Sequence, residues 1–74
     1  MKLKVNKVYK IVNEDPWEQS VYYVKIKTPG RIQDYELCYS AVILSGGIEG
    51  MIVYIYPADW PYIEEVSSLE EELL

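Results

Sequence analysis

The sequence predicts a small α+β domain that is mostly β, with four to five antiparallel strands and a C-terminal helix. Two observations carry this prediction. Short runs of alternating apolar and polar residues are separated by Pro, Gly and Asn turn signals up to residue 57. From residue 61 the apolar spacing changes from two to about 3.6. At 74 residues the chain is one domain, with a strongly twisted sheet or small open barrel over residues 1–57 and an acidic amphipathic helix over 61–74.

Two strands are predicted in the first third of the chain. Residues 8–12 are rich in β-branched side chains, and Asn, Asp and Pro at 13–16 favour a turn after them. Residues 21–28 alternate, with Tyr22, Val24 and Ile26 on one face and lysines on the other. Pro29-Gly30 then predicts a turn that leads into the next strand.

The middle of the chain predicts two further strands. Residues 35–44 place Tyr35, Leu37 and Tyr39 on one face, and a strand this long favours a bulge near Ser40. Ser45-Gly46-Gly47 predicts a turn. Residues 51–56 are apolar on both faces, which is typical of a strand that is central or covered on its second face.

The predicted helix depends on a stripe of apolar residues. Tyr62, Val66, Leu69 and Leu73 are spaced i, i+4, i+7 and i+11. Pro61 suits a first helical turn, and early glutamates favour the helix dipole. Ser67-x-x-Glu70 also fits a capping box, so an interrupted helix with a shorter final segment stays open.

The composition argues against an enzyme. The chain has no His and one Cys, so a Cys-His nucleophile cannot form within it. His is also the commonest metal ligand, and neither a calcium loop nor a phosphate-binding loop has its required spacing. We therefore predict no catalytic residue, no metal and no cofactor, with Cys38 as a small side chain in a sheet.

The first third of the chain resembles small SH3-like barrel proteins of phage and mobile elements. The resemblance rests on three short motifs: Lys7-Val8-Tyr9-Lys10-Ile11, Asp15-Pro16-Trp17 and Val21-Tyr22-Tyr23-Val24-Lys25-Ile26. Residues 35–39 match the family's next hairpin poorly. The resemblance implies an SH3-like barrel in a bacterial or viral cytoplasm, and it implies no fixed activity.

Charge is uneven along the chain. The net charge of −5 comes from the C-terminal glutamates, since acids and bases balance up to residue 63. These glutamates form either a solvated helix face or an acidic surface that docks on a basic partner. Tyr23 beside Lys25 and Lys27 is the best patch for stacking on nucleic acid, but the overall acidity argues against direct nucleic-acid binding.

The N-terminus lacks the apolar core of a signal peptide, and no apolar run reaches membrane-spanning length. With a lone Cys, these features predict a cytoplasmic protein, in the host cytoplasm if it is phage-encoded.

Eight Tyr and two Trp in 74 residues indicate a binding surface. The main hypothesis is a non-enzymatic protein-interaction module, an inhibitor or modulator that binds a larger host protein, for instance through that protein's basic nucleic-acid-binding surface. Alternatives are an oligomeric binder of a metabolite or nucleotide, and an assembly subunit; a homo-oligomer stays open. Trp17 and Trp60 lie in turns, where they either anchor a partner or cover the ends of the barrel. The predicted contact residues are Trp17, Tyr23, Tyr54, Trp60, Glu64, Glu65, Glu70, Glu71 and Glu72.

Overall fold

A six-stranded, strongly curled antiparallel sheet forms an open half-barrel in the computed structural model. The structure describes residues 2–14, 19–60, 62–67 and 71–72. The mostly β prediction is confirmed, with six strands in the described part of the chain against the four to five that the sequence predicts. The elements are β1 (Val8–Glu14), β2 (Gln19–Ile26), β3 (Arg31–Gln33), β4 (Glu36–Ser45), β5 (Ile52–Ile55), a 3₁₀ turn (Pro57–Asp59) and β6 (Tyr62–Glu65).

Strands β1, β2 and β4 form the middle of the sheet. β1 pairs with β2 on one side and with β6 on the other. β4 is the longest strand and pairs in turn with β2, β3 and β5. β2 pairs with Ala41–Ser45 of β4, and β3 pairs with Glu36–Cys38. The hairpin of β3 and the first part of β4 therefore extends past the end of β2.

The concave face of the sheet holds the core. Alternation places every second residue of each strand on this face, and the chain before β1 adds Leu3, whose backbone N–H donates to the buried Tyr39 hydroxyl at 3.0 Å. The buried cluster consists of Leu3, Tyr9, Ile11, Val24, Ile26, Tyr39, Ala41, Ile43 and Ile55. The faces predicted for residues 21–28 are confirmed, because Val24 and Ile26 are buried while Lys25 and Lys27 are not.

The helix predicted for residues 61–74 is wrong over Tyr62–Glu65, which form strand β6. β6 pairs antiparallel with β1, and the Val66 N–H continues the ladder to the Val8 carbonyl at 2.9 Å. A helix would have left that edge of β1 unpaired. Beyond β6, the Glu71 N–H donates to the Ser67 carbonyl at 2.9 Å, and residues 68–70 and 73–74 lie outside the described part of the chain.

Three further expectations are corrected. The irregularity in β4 lies opposite the Tyr23/Val24 step, at Leu44 rather than near Ser40. Tyr35 belongs to a turn and not to the inner face of a strand. The strand predicted over 51–56 to be central or covered is β5, paired with β4 alone among the described strands, and its outer face is open.

Candidate functional site

The hairpin of β3 and β4 carries the most exposed aromatic side chain among the described residues. We call Arg31–Cys38 the hairpin arm. Gln33 pairs with Glu36, so Asp34 and Tyr35 alone make the connection. Their φ angles are 52° and 67°, and Tyr35 is 99% exposed. The whole Tyr35 side chain therefore lies in solvent at the tip of the arm.

This turn is an unfavourable place for tyrosine. A two-residue hairpin connection with positive φ at both residues is a type I′ turn, which favours Asn-Gly or Asp-Gly. Asp34 suits the first position, because short polar side chains tolerate the left-handed region. Tyr35 does not suit the second, where an L-residue other than Gly costs about 1–2 kcal/mol. Burial of the side chain does not compensate for that cost, because the ring lies almost wholly in solvent.

The rest of the arm adds an apolar and a cationic contact. Ile32 is 72% exposed, although its cross-strand partner Leu37 packs against the core. The Arg31 guanidinium donates to the Gln33 side-chain oxygen at 3.3 Å. Its Cζ atom also lies 5.6 Å from the centre of the Tyr54 ring, within cation–π range. The arm is thus tied to β5 at its base, while its tip projects.

A second feature is an apolar cleft of about 340 Å³ in the concave face. The Tyr22 and Trp60 rings meet edge to face on its wall, with centroids 6.4 Å apart. Branched aliphatic side chains and few polar groups make up the rest. The lining residues are Ile11, Tyr22, Val24, Ile43, Val53, Tyr54, Ile55 and Trp60.

The predicted contact residues fall into separate places. Tyr23 and Glu64 both stand opposite Lys10, one on each side of it, so the three form a row across the outer face. Tyr54 stands opposite Ser40, whereas Tyr23 stands opposite Ser45. Ser40 and Ser45 are five positions apart on β4, which is roughly 17 Å along the strand. The structure therefore does not bring Tyr23 and Tyr54 into one patch.

Trp60 lies at the end of the sheet, half-buried against the core and against Tyr22. This position agrees with a ring that covers one end of the barrel. Trp17 and Glu70 lie outside the described residues. Of the other glutamates, Glu64, Glu65 and Glu72 are exposed and Glu71 is half-buried.

The glutamates of β6 do not form one acidic face. Glu64 and Glu65 are consecutive residues of a strand, so they point to opposite faces of the sheet. The Tyr62 hydroxyl donates to the Glu64 carboxylate. That hydrogen bond raises the pKa of Tyr62 above its usual value, with smaller contributions from desolvation and from the charge of Glu64.

Cys38 is a free cysteine and is fully buried. A hydrogen bond with the Cys38 side chain is the largest cause of the raised pKa of Tyr56, followed by desolvation. The Cys38 thiol also approaches the Tyr39 carbonyl at 3.9 Å. These contacts agree with the predicted small side chain in a sheet, and the structure adds that this side chain is fully buried.

The sequence reasoning missed Tyr35 and Ile32. The segment 31–36 has no Gly or Asn to mark a two-residue turn, so local sequence gives no reason to place either residue at an exposed hairpin tip. One signal was present: Asp34-Tyr35-Glu36 interrupts the apolar alternation with two acids around an aromatic residue.

Comparison with protein-family models, with curated proteins and with solved structures gave no significant match. Within the described residues, no three His, Cys, Asp or Glu side chains are grouped as metal ligands would be. Among those same residues no helix has the length and apolar character needed to cross a bilayer.

Proposed function

We propose that this protein is a non-enzymatic interaction module that binds a larger protein through the hairpin arm. The observation that carries the proposal is Tyr35, an almost fully exposed aromatic residue in a strained turn position. Strain at a residue that contributes nothing to the core is a reason to look for a role in function. Tyrosine is also among the residues that dominate binding energy at protein interfaces.

The surroundings of Tyr35 support a partner with a basic rim and an apolar pocket. Asp34 and Glu36 precede and follow Tyr35 in the sequence and are both exposed, and Ile32 adds an exposed aliphatic side chain on the same arm. An aromatic anchor on a hairpin tip that also carries two acids fits a pocket bordered by lysines or arginines, since complementary rim charge speeds encounter. A basic nucleic-acid-binding surface on the larger protein has this chemistry. The role of a phage-type inhibitor or modulator in a host cytoplasm remains part of the proposal.

We propose that the fold is an SH3-like barrel, with the arm as an addition. Support comes from the strand order β6-β1-β2-β4-β5 and from the 3₁₀ turn between β5 and β6. SH3-like folds host many unrelated functions, so the fold by itself does not indicate what this protein binds.

The test pairs wild type with Tyr35→Gly as immobilised baits in a quantitative capture from lysate of the source cells. Glycine suits the turn, so the fold is retained and the aromatic anchor is lost. We expect the Tyr35→Gly bait to capture about tenfold less, or lower still, of at least one large protein than the wild-type bait does, because the variant lacks the aromatic anchor. Tyr62→Ala removes an exposed tyrosine from β6 and is the matched control. Equal capture by all three baits would reject the arm as the contact surface.

A second candidate function rests on the apolar cleft. Its volume of about 340 Å³ lies at the lower end of the range for small-molecule sites, which fits an apolar metabolite. Thermal stabilisation of the wild type by a panel of apolar metabolites and nucleotides, reduced in Trp60→Ala, would favour this candidate.

A further inference from the structure

We infer that β5 pairs with β5 of a second copy, so that two half-barrels join into one continuous sheet across a two-fold axis at Val53. The surface concerned is the free edge of β5, which does not include the hairpin arm. The inference is independent of the proposed function.

The two edge strands of the half-barrel, β5 and β6, differ in how well their side chains prevent pairing with another chain. Exposed edge strands normally carry charges or Pro that block pairing with another chain. β6 carries Glu64 and Glu65. In contrast, residues 50–56 read Gly-Met-Ile-Val-Tyr-Ile-Tyr without a charge, and Ile52 and Tyr54 are 56% and 54% exposed. An uncharged edge opposes a second copy of itself without electrostatic cost, as an isologous interface requires.

The hydrogen bonds of β5 show which backbone groups face away from β4. The Ile43 N–H donates to the Met51 carbonyl at 2.9 Å, in the same register as the pairs Ala41–Val53 and Tyr39–Ile55. Bonded and non-bonded pairs alternate in an antiparallel ladder. The backbone groups of Ile52 and Tyr54 therefore make no hydrogen bond to β4. Their N–H and C=O groups point to the open edge of β5.

These groups permit one two-fold register. If the axis passed through Ile52, Gly50 would have to pair, but its N–H already donates to Ile43 at 2.8 Å. If the axis passed through Tyr54, Tyr56 would have to pair, but its carbonyl accepts from the Asp59 N–H at 2.9 Å. With the axis at Val53, Ile52 of each copy exchanges both backbone hydrogen bonds with Tyr54 of the other.

In this register the two Val53 residues form a non-hydrogen-bonded pair at the axis. The Cα atoms of such a pair lie about 4.5 Å apart, within the range of about 4.4–6.8 Å that a disulfide spans. On the outer face, Ile52 of each copy contacts Tyr54 of the other, and apolar–aromatic cross-strand pairs of this kind are favourable. Because the paired segment is short, we expect a reversible dimer rather than an obligate one.

Sedimentation equilibrium and oxidative cross-linking test the inference on the full chain. The wild-type mass should rise from 8.7 kDa toward twice that value between about 10 µM and about 1 mM. Ile52→Lys places a charge on the edge and should raise the dimer dissociation constant at least tenfold. Ile48→Lys adds the same charge at a 70% exposed loop position and should leave the dimer unchanged.

Val53→Cys should form a disulfide-linked dimer under mild oxidation. Wild type keeps the buried Cys38 as its single thiol and is the background control. Ile63→Cys is the matched control, because Ile63 is also half-buried against the core but lies on β6. Equal cross-linking at positions 53 and 63 would overturn the proposed edge. A wild type that stays at 8.7 kDa while Val53→Cys remains uncross-linked would overturn self-pairing altogether, including the case in which β5 accepts only a strand of another protein.

Discussion

Replacing Gly46 by alanine, with Gly50→Ala as its control, tests how β2 and β4 meet at the end of the sheet. Both glycines have positive φ, 91° and 83°, so alanine at either position costs about 1–2 kcal/mol in backbone strain. Their surroundings differ. A Cβ atom on Gly46 would lie 2.0 Å from the Val21 carbonyl oxygen, whereas one on Gly50 would have no heavy atom within 4 Å.

The clash at Gly46 adds a second cost. Val21 lies in β2 next to the pairing of Tyr23 with Ser45, so its carbonyl moves only if the strands separate. Overpacking of this kind costs about 1–3 kcal/mol more, which gives a total of about 2–5 kcal/mol for Gly46→Ala and about 1–2 kcal/mol for Gly50→Ala. A chain of this length has about 4–11 kcal/mol of stability in total.

Urea unfolding followed by tryptophan fluorescence measures both variants on one scale. We expect the midpoint to fall much further for Gly46→Ala than for Gly50→Ala, with unchanged slope in the milder variant. Equal losses would mean that strain alone governs both sites. That result would refute the close approach of the β4–β5 loop to β2.

Three further outcomes follow from individual contacts. Tyr39→Phe removes the acceptor of the buried Leu3 N–H and should cost about 1–3 kcal/mol in urea unfolding; a neutral result would contradict the docking of the N-terminal segment. The raised pKa of Tyr62 means that its stabilising contribution is complete below the usual phenol pKa and is lost as pH rises through the folded-state value; ultraviolet titration should show one phenol ionising earlier in Glu64→Gln than in wild type, and superimposable curves would contradict the bond. Val66→Asp buries a charge at a position that is 8% exposed and should lower the melting temperature sharply; wild-type melting would show that the chain after β6 does not pack on the sheet.

Alternation predicted most of the sheet because it reports directly on a half-buried strand. β1, β2 and β4 lie where the runs of β-branched residues and the turn residues place them. The spacing at the C-terminus misled the prediction for a definite reason. Tyr62 and Val66 are four residues apart, which puts them on the same face of a strand as well as of a helix. The segment forms a strand and not a helix because it pairs with the free edge of β1. That pairing is a tertiary contact, which local spacing does not report.

The candidate site was only partly predictable. The sequence predicts Tyr54 as a contact residue because it is aromatic, and the structure adds the Arg31 guanidinium above its ring. Tyr35 was not selected, because a type I′ turn without Gly contradicts the usual turn chemistry. Turn preferences cannot predict a residue that goes against them, as Tyr35 does. Residues of this kind concentrate at functional positions.

The most direct test of the central claim is the affinity of Tyr35→Gly for the purified partner, measured beside its melting temperature. Relief of positive-φ strain by about 1 kcal/mol should raise the melting temperature by about 4–8 °C. Loss of the aromatic anchor should weaken binding about tenfold or more in the same protein. A variant that is stabilised and binds poorly is the predicted result. A variant that binds as tightly as wild type would contradict the assignment of the hairpin arm as the interaction surface.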